Sequence, residues 1–414
     1  MTVPGDERRG EAETGRPVFS GSPHPTVGME VEIQLVDAGS VNLVDLGPRM
    51  LAEMATRPET ADRVRKELMQ NTVEVATGPR GQSTVAAARE DLRTTLEILD
   101  HLVTAVGGLL VSAGSHPFAD PLRQSITHDA RIERLVETIQ DPARRLQTYG
   151  LHVHVGVPEG DTAIRVQNAL VRHFPELIAL SASSPFWEGR DTGLQSTRCV
   201  VFADLPLTGL PPRLESWGEY EALYGALVRA GRIESHKDLH LDVRPSPALG
   251  TVELRVCDAP PTLREMAAIA AFTQCLVAEA VEGAEPGDPL SPLLVKDNKD
   301  LAVRYGLEGR ITVDASGRTM PIAECVAAAV RRLAPLSRRL HCPTELADVL
   351  SILETGPSSS RQRTVYRGAA SDHLCPPGVA LERAGLAEVV RSLAAELRSD
   401  TPGSTDGTAP PGVR

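Results

Sequence analysis

The chain has 414 residues, 41% of them apolar, which suits one large domain or two modest ones with a sizeable core and excludes disorder throughout. Its 43 Lys and Arg against 55 Asp and Glu give a net charge of −12 with no long basic block, which disfavours nucleic acid or an anionic membrane as partners. The six cysteines lie far apart with no C-x-x-C pair, so neither a disulfide framework nor a zinc knuckle is expected, and a reducing cytoplasm fits best.

Residues 1–25 and 399–414, rich in Gly, Pro, Ser, Thr and charge, read as disordered tails around a single catalytic domain spanning 26–398. The first of these lacks the apolar run of a secretory signal, so export is not expected. The longest apolar stretch, Leu102 to Ala113, is broken by Thr104, Gly107, Gly108 and Ser112 and falls short of the roughly 20 residues of a membrane span. No internal repeat is present.

Strict alternation predicts strands at VGMEVEIQLVD, NTVEVAT, GLHVHVGV, LHLDVRPS and TVELRVCD. Apolar spacings of three and four predict helices at about 83–106, 161–182, 219–230, 262–283, 321–341 and 379–398. Pro and Gly clusters at 78–81, 205–212 and 285–292 are too short for interdomain linkers. The fold class is therefore α+β, with a largely antiparallel sheet packed on helices by one face.

The other face is where chemistry is expected, because alternate residues of a strand point to opposite sides. The apolar sets Met29, Val31, Ile33 and Leu35, Val73 and Val75, Leu151, Val153 and Val155, and Val252, Leu254 and Val256 leave Glu30, Glu32, Glu74, His152, His154, Glu253 and Arg255 on the second face. LHLDVRPS adds His240, Asp242 and Arg244 against Leu241 and Val243. A solvated face usually carries Lys, Thr and Ser, and these charged positions contain no Lys. Glu with a few His is a donor set for hard divalent cations, magnesium or manganese rather than zinc. Carboxylates facing Arg suit phosphoryl transfer, and no P-loop or G-x-G-x-x-G is present, so any nucleotide phosphates would be held by metal and Arg.

Blander readings apply elsewhere. His236 and His240 form an H-x-x-x-H outside any helical pattern and without a metalloprotease Glu, so they read as ordinary histidines. Cys257 reads as a small buried residue, Ser183 and Ser184 as a capped turn before Pro185, and Phe186 and Trp187 as core aromatics. Taken alone, Arg361 and Arg363 in GPSSSRQR read as a surface loop.

The ordered series G-x-E-x-E (Gly28, Glu30, Glu32), E-L-x-x-x-x-V-E-V-A-T (Glu67 to Thr77), G-L-H-V-H-V-G-V (Gly150 to Val157) and T-V-E-L-R-V-C-D (Thr251 to Asp258) resembles the YbdK-type carboxylate-amine ligases. These are glutamate-cysteine ligase family 2, related in fold to glutamine synthetase. GSHP (114–117), LSASSPFWEGRDTG (180–193), Ser196 with Arg198, DVRPS (242–246) and RYGL (304–307) agree, so the resemblance covers about 26–395. It implies a ligase that uses ATP and Mg2+ (or Mn2+) to activate a glutamate carboxylate as an acyl phosphate. Glu32, Glu67 and Glu74 would hold a metal near the amino-acid end, and Glu30, His152 and Glu253 one bridging the ATP phosphates. His154 would reach a phosphate oxygen, Arg255 and Arg198 would clamp the transferring group, and Arg244, Arg361 and Arg363 would do similar work. The resemblance makes the 180–193 loop a lid.

Cysteine is the default acceptor, and another amine or amino acid is the alternative. Asp300, Leu301 and Leu194 stand where the family usually has Trp, often Arg, and Tyr, which bears on acceptor choice. A catalytically silent scaffold and a zinc hydrolase built on H-V-H are the readings from other classes. Oligomeric state is open, a homo-oligomer with a second subunit over a sheet edge being one arrangement.

Overall fold

The computed structural model describes residues 17–78, 81–283, 290–370 and 382–400. Its centre is a seven-stranded antiparallel sheet made of β1 (Val27–Asp37), β2 (Val64–Lys66), β3 (Thr72–Ala76), β4 (Gly108–Val111), β5 (Gly150–Gly156), β6 (Val243–Ser246) and β7 (Thr251–Asp258). The order is β6-β7-β5-β1-β3-β2, with β4 also on β1. The first strand is long enough to pair with β5 through Val27–Val31, with β3 through Glu30–Gln34 and with β4 through Gln34–Asp37.

The alternation fixes which face is covered. Met29, Val31, Ile33, Leu35, Val73, Val75, Leu151, Val153 and Leu254 have no solvent exposure and form one core with the helices Val85–Thr104, Gly160–Leu170 and Leu263–Val281. The last of these is buried nearly all round, as its run of Ala, Ile, Phe, Leu and Val dictates. Thr262 caps it, accepting from Glu265 N at 3.1 Å while its hydroxyl donates to the Glu265 carboxylate at 2.8 Å. Thr84 likewise caps Val85–Thr104.

Four expectations shift. The helix expected over 161–182 is two helices, Gly160–Leu170 and Phe174–Ser181, because Pro175 lacks the N–H a continuous helix needs and fits a first turn instead. LHLDVRPS breaks at Asp242, where His240–Leu241 leaves to pair in parallel with Thr208–Gly209 and only Val243–Ser246 joins the sheet. The final helix is Arg383–Ser399, residues 379–381 lying outside the described ones, and Arg89 pairs with Asp400 beyond its end, so Ser399 and Asp400 belong to the body. The N-terminal tail does not run to residue 25, since Ser20 N donates to Pro247 O and Ser22 N to Val157 O at 2.9 and 2.7 Å. That strap needs Gly250 in the left-handed region at φ 64°, where a Cβ would meet the Gly21 backbone at 2.7 Å.

Helices Gly47–Ala55, Ala130–Ile139, Pro292–Tyr305, Pro343–Thr355 and Ser358–Ala369 were not among the expected elements. No helix among the described residues is long and apolar enough to cross a membrane.

Leu254→Ala removes a fully buried side chain between sheet and helices. It is expected to cost about 2–5 kcal/mol, read as a lower denaturant midpoint with an unchanged slope.

Candidate active site

Strand pairing lays the polar face out in rows. Arg244 lies opposite Glu253 and Glu253 opposite His154, His152 lies opposite Glu30, and Glu32 opposite Glu74, which in turn faces Arg65. Neighbouring strands sit about 4.8 Å apart, so ionisable groups from six strands crowd one surface. Arg255 and Val256 keep the expected polar and apolar sides of TVELRVCD, but a bulge after Leu254 shifts the pairing and brings Cys257 opposite Leu151. Cys257 is therefore buried, its thiol pushed up to about 12 by desolvation, in keeping with a packing role.

The charges on this face are unequally satisfied. Burial works against ionisation of Glu30, but hydrogen bonds from His152 and His154 and the charges of His154 and Arg65 overcome it and hold the carboxyl well below the usual range. Glu253 is buried too, and the Arg244 and Arg255 charges, helped by His154 and His152, keep it ionised. Glu74 goes the other way: burial and the charge of Glu30 outweigh Arg65 and push it up to about 8. Glu67 is raised well above normal by burial and by Glu32 and Glu74.

Two groups of donor atoms converge, Glu30 with Glu74 and His152, and Glu30 with His154 and Glu253, the ligand atoms of each lying within 4.8 Å of one another. His152 Nε2 is buried with no hydrogen-bond partner, and Glu74 lacks full charge compensation. A set of carboxylate oxygens and imidazoles with those two deficits fits a hard divalent cation. The grouping differs from the one the resemblance implied. Glu32 and Glu67 enter neither triad, His154 joins Glu253 in place of His152, and Glu30 is common to both. Glu32 accepts from Gly150 N at 2.5 Å, and Glu32 and Glu67 line a recess of about 40 Å³ with Thr72, Gln147, Arg198 and Phe202.

Of the expected arginines, Arg255 and Arg198 reach the site. Arg255 touches Glu253 and lies 3.5 Å from His152 Nδ1. Arg198 donates to Arg255 O at 3.2 Å, and its guanidinium lies 5.3 Å from the Phe202 ring centre. It lies so close over β5 that a Cβ at position 150 would come within 2.3 Å of it, which gives Gly150 a positional reason. Arg244 does not offer its charge to a ligand. It holds Glu253 at 2.8 and 3.3 Å and donates to the carbonyls of His236, Lys237 and Leu239, which makes it a positioning residue. Arg361 and Arg363 lie on the Ser358–Ala369 helix rather than in a loop, and their charges are engaged elsewhere, Arg361 by Glu265 and Glu396 and Arg363 by Asp191.

Several residues here were not among the expected site residues. Arg65 bridges Glu30 and Glu74 at 2.9 and 3.0 Å. Asp258, fully buried, accepts from Ser183 N, Ser184 Oγ and Ser196 Oγ at 2.7–2.9 Å, and Ser184 Oγ accepts from Arg198 N. The two serines thus anchor the start of the helix that carries Arg198. Phe186 packs in a secondary core near Tyr366. Neither His236 nor His240 joins a cluster of three metal-ligating groups among the described residues.

The profile of glutamate-cysteine ligase family 2 matches residues 26–377. The chain belongs to glutamate-cysteine ligase family 2. A Frankia alni relative named "Putative glutamate--cysteine ligase 2-1" is 44% identical over 86% of this chain and 94% of its own. A Thermobifida fusca relative named "Putative glutamate--cysteine ligase 2" is 40% identical over 95% and 96%. Among solved structures, a glutamate-cysteine ligase from Francisella tularensis in complex with AMP aligns with TM-score 0.59 and 12% identity, covering 92% of this chain and 90% of that one. A bifunctional glutathione synthetase from Pasteurella multocida aligns with TM-score 0.61 and 14% identity over 90% of this chain, which spans about half (52%) of that longer protein. At such identities these two establish a shared fold. The match to glutamate-cysteine ligase family 2 takes in every strand of the polar face.

A divalent cation held by Glu74 would have to displace the proton that its raised carboxyl keeps. Protons compete for it below about 8, so Mn2+ affinity measured by titration calorimetry is expected to rise from pH 7 to pH 9 with proton release on binding. Glu30→Gln, which removes a donor common to both triads, is expected to weaken binding more than Glu253→Gln.

Proposed function

We propose that this protein is an ATP-dependent carboxylate-amine ligase that joins the γ-carboxylate of glutamate to an amine through an acyl phosphate, with cysteine the default acceptor. The observation that carries this reading is the double triad sharing Glu30, flanked by Arg255 and Arg198, on the polar face of a family sheet.

A carboxylate is a poor electrophile and its hydroxide a poor leaving group, so amide formation in water needs activation. The γ-carboxylate attacks the γ-phosphorus of ATP, the bond to ADP breaks, and the acyl phosphate forms; the amine nitrogen then attacks the carbonyl, inorganic phosphate leaves, and the nitrogen's proton passes to a carboxylate of the polar face or to the departing phosphate. Divalent cations, when held by Glu30, Glu74, His152, His154 and Glu253, would neutralise phosphate oxygens. Arg255 and Arg198 place fixed positive charge where the transferring group spreads negative charge over its oxygens, and the buried setting strengthens that effect. Arg244 and Thr251 hold Glu253 and the His154 ring in place, the latter through a 2.9 Å contact at Nδ1. The ionised Glu253 and Glu30 are ready donors at neutral pH. The silent-scaffold alternative would leave this set of donors without a reaction, and a zinc hydrolase would make no use of the arginines.

ADP release with Mg2+, ATP, glutamate and a panel of amines including cysteine tests the proposal. One amine is expected to stimulate release, with Glu74→Gln and Glu253→Gln lowering it by about 1000-fold or more. Oxygen-18 in the γ-carboxylate is expected to appear in the released phosphate. ATP binding without release across the panel would favour the scaffold. Gly150→Ala, by pushing Arg198 aside, is expected to lower turnover on the order of 100-fold while near-ultraviolet circular dichroism stays native.

A further inference from the structure

Beside the triads a second, narrower recess opens, lined by Arg198, Arg255, Lys299, Asp242, Phe202 and Thr208. Lys299 comes from the Pro292–Tyr305 helix, and its ammonium meets the Asp242 carboxylate at 2.5 Å with both side chains largely buried, 13% and 7% exposed. Asp242 stands at the break between His240–Leu241 and β6, where its carbonyl accepts from Arg255 N at 2.8 Å. Among these lining residues three cations face one carboxylate. The Nε–H groups of Arg198 and Arg255 are buried without partners, so neither guanidinium is fully satisfied within the fold.

The free volume is about 10 Å³, room for a water-sized group. That suits the tip of a ligand whose body lies outside and excludes a nucleoside. The lining offers cations for a carboxylate and one carboxylate for an ammonium, the two charges that an amino-acid head group carries. Arg255, which lines the recess, touches Glu253 and lies 3.5 Å from His152 Nδ1, so a substrate seated here is next to the triads.

We infer that this recess anchors the head group of an amino-acid substrate, one α-carboxylate oxygen entering it to meet Lys299 and the α-ammonium staying at its mouth to donate to Asp242. The inference rests on the ligase reading and adds a specificity residue to it. It also relocates the determinant within KDNKDL. Asp300 is exposed and paired with Lys296, and Leu301 packs against the core, whereas their neighbour Lys299 lines the recess.

The test is calorimetric binding of L-glutamate and L-cysteine, each against its α-amide, to the full chain with Mg2+ and a non-hydrolysable ATP analogue. The wild type is expected to prefer at least one amino acid over its amide by about tenfold or more. Lys299→Met is expected to lose that preference, Lys299→Arg to keep most of it, and both to bind the nucleotide analogue within about twofold of wild type. A preference retained in Lys299→Met, or an equal loss for nucleotide, overturns the inference. Should Lys299→Met not fold, the wild-type ratio decides, a value near one being the contrary result. Selective loss in the variant combined with no ADP release by the wild type would uphold the subsite and remove the ligase reading, and a wild type that binds neither amino acid would remove both.

Discussion

Glu32 and Glu74 face each other across β1 and β3, with Glu30 one row away and Glu67 beside them. Like charges directly opposite on a sheet repel, and burial makes each costlier. The surrounding structure answers this constraint in several ways. Arg65 spans Glu30 and Glu74, Arg244 and Arg255 enclose Glu253, and the Gly150 amide caps Glu32. Glu74 and Glu67 remain under-compensated, and their carboxyls are pushed toward the protonated form. A fold that keeps such a cluster under strain without a cation has a reason to bind one.

The supports around that cluster are arranged by the backbone. The apolar alternation presses one face onto the Leu263–Val281 helix, which leaves the charged residues on the other face in fixed register. Gly150 lets Arg198 lie against β5, and Asp258, satisfied by three donors from Ser183, Ser184 and Ser196, holds the turn from which Arg198 starts. Arg198 and Phe202 then separate an acidic recess from a cationic one. This division leaves two distinct places for groups of opposite charge beside the polar face, as the proposed ligase reaction requires.

Most of the sheet and the donor set were legible in the sequence, because period-two alternation that sets Glu, His and Arg against Val and Leu marks strands with one covered face and one charged face. What escaped has identifiable causes. The bulge after Leu254 adds one residue without any Gly or Pro to announce it. Arg65 sits in a three-residue strand too short to show a pattern, and Lys299 in a helix whose apolar positions are sparse. The pairing of His154 with Glu253, rather than His152, depends on strand neighbours that one-dimensional spacing cannot give. Arg361 and Arg363 give no helical pattern because Ser and Arg dominate a helix held by tertiary ion pairs rather than by an apolar stripe.

The claim at the centre of this account is that the polar face is completed by divalent cations. Thermal unfolding of the wild type and of Glu30→Gln with and without Mn2+ tests it most directly, because a ligand that binds only the folded state raises its stability. The account predicts a higher melting temperature for the wild type with Mn2+ and little or no change for Glu30→Gln. A wild type whose melting temperature does not respond to millimolar Mn2+, or an equal response from both proteins, would contradict it.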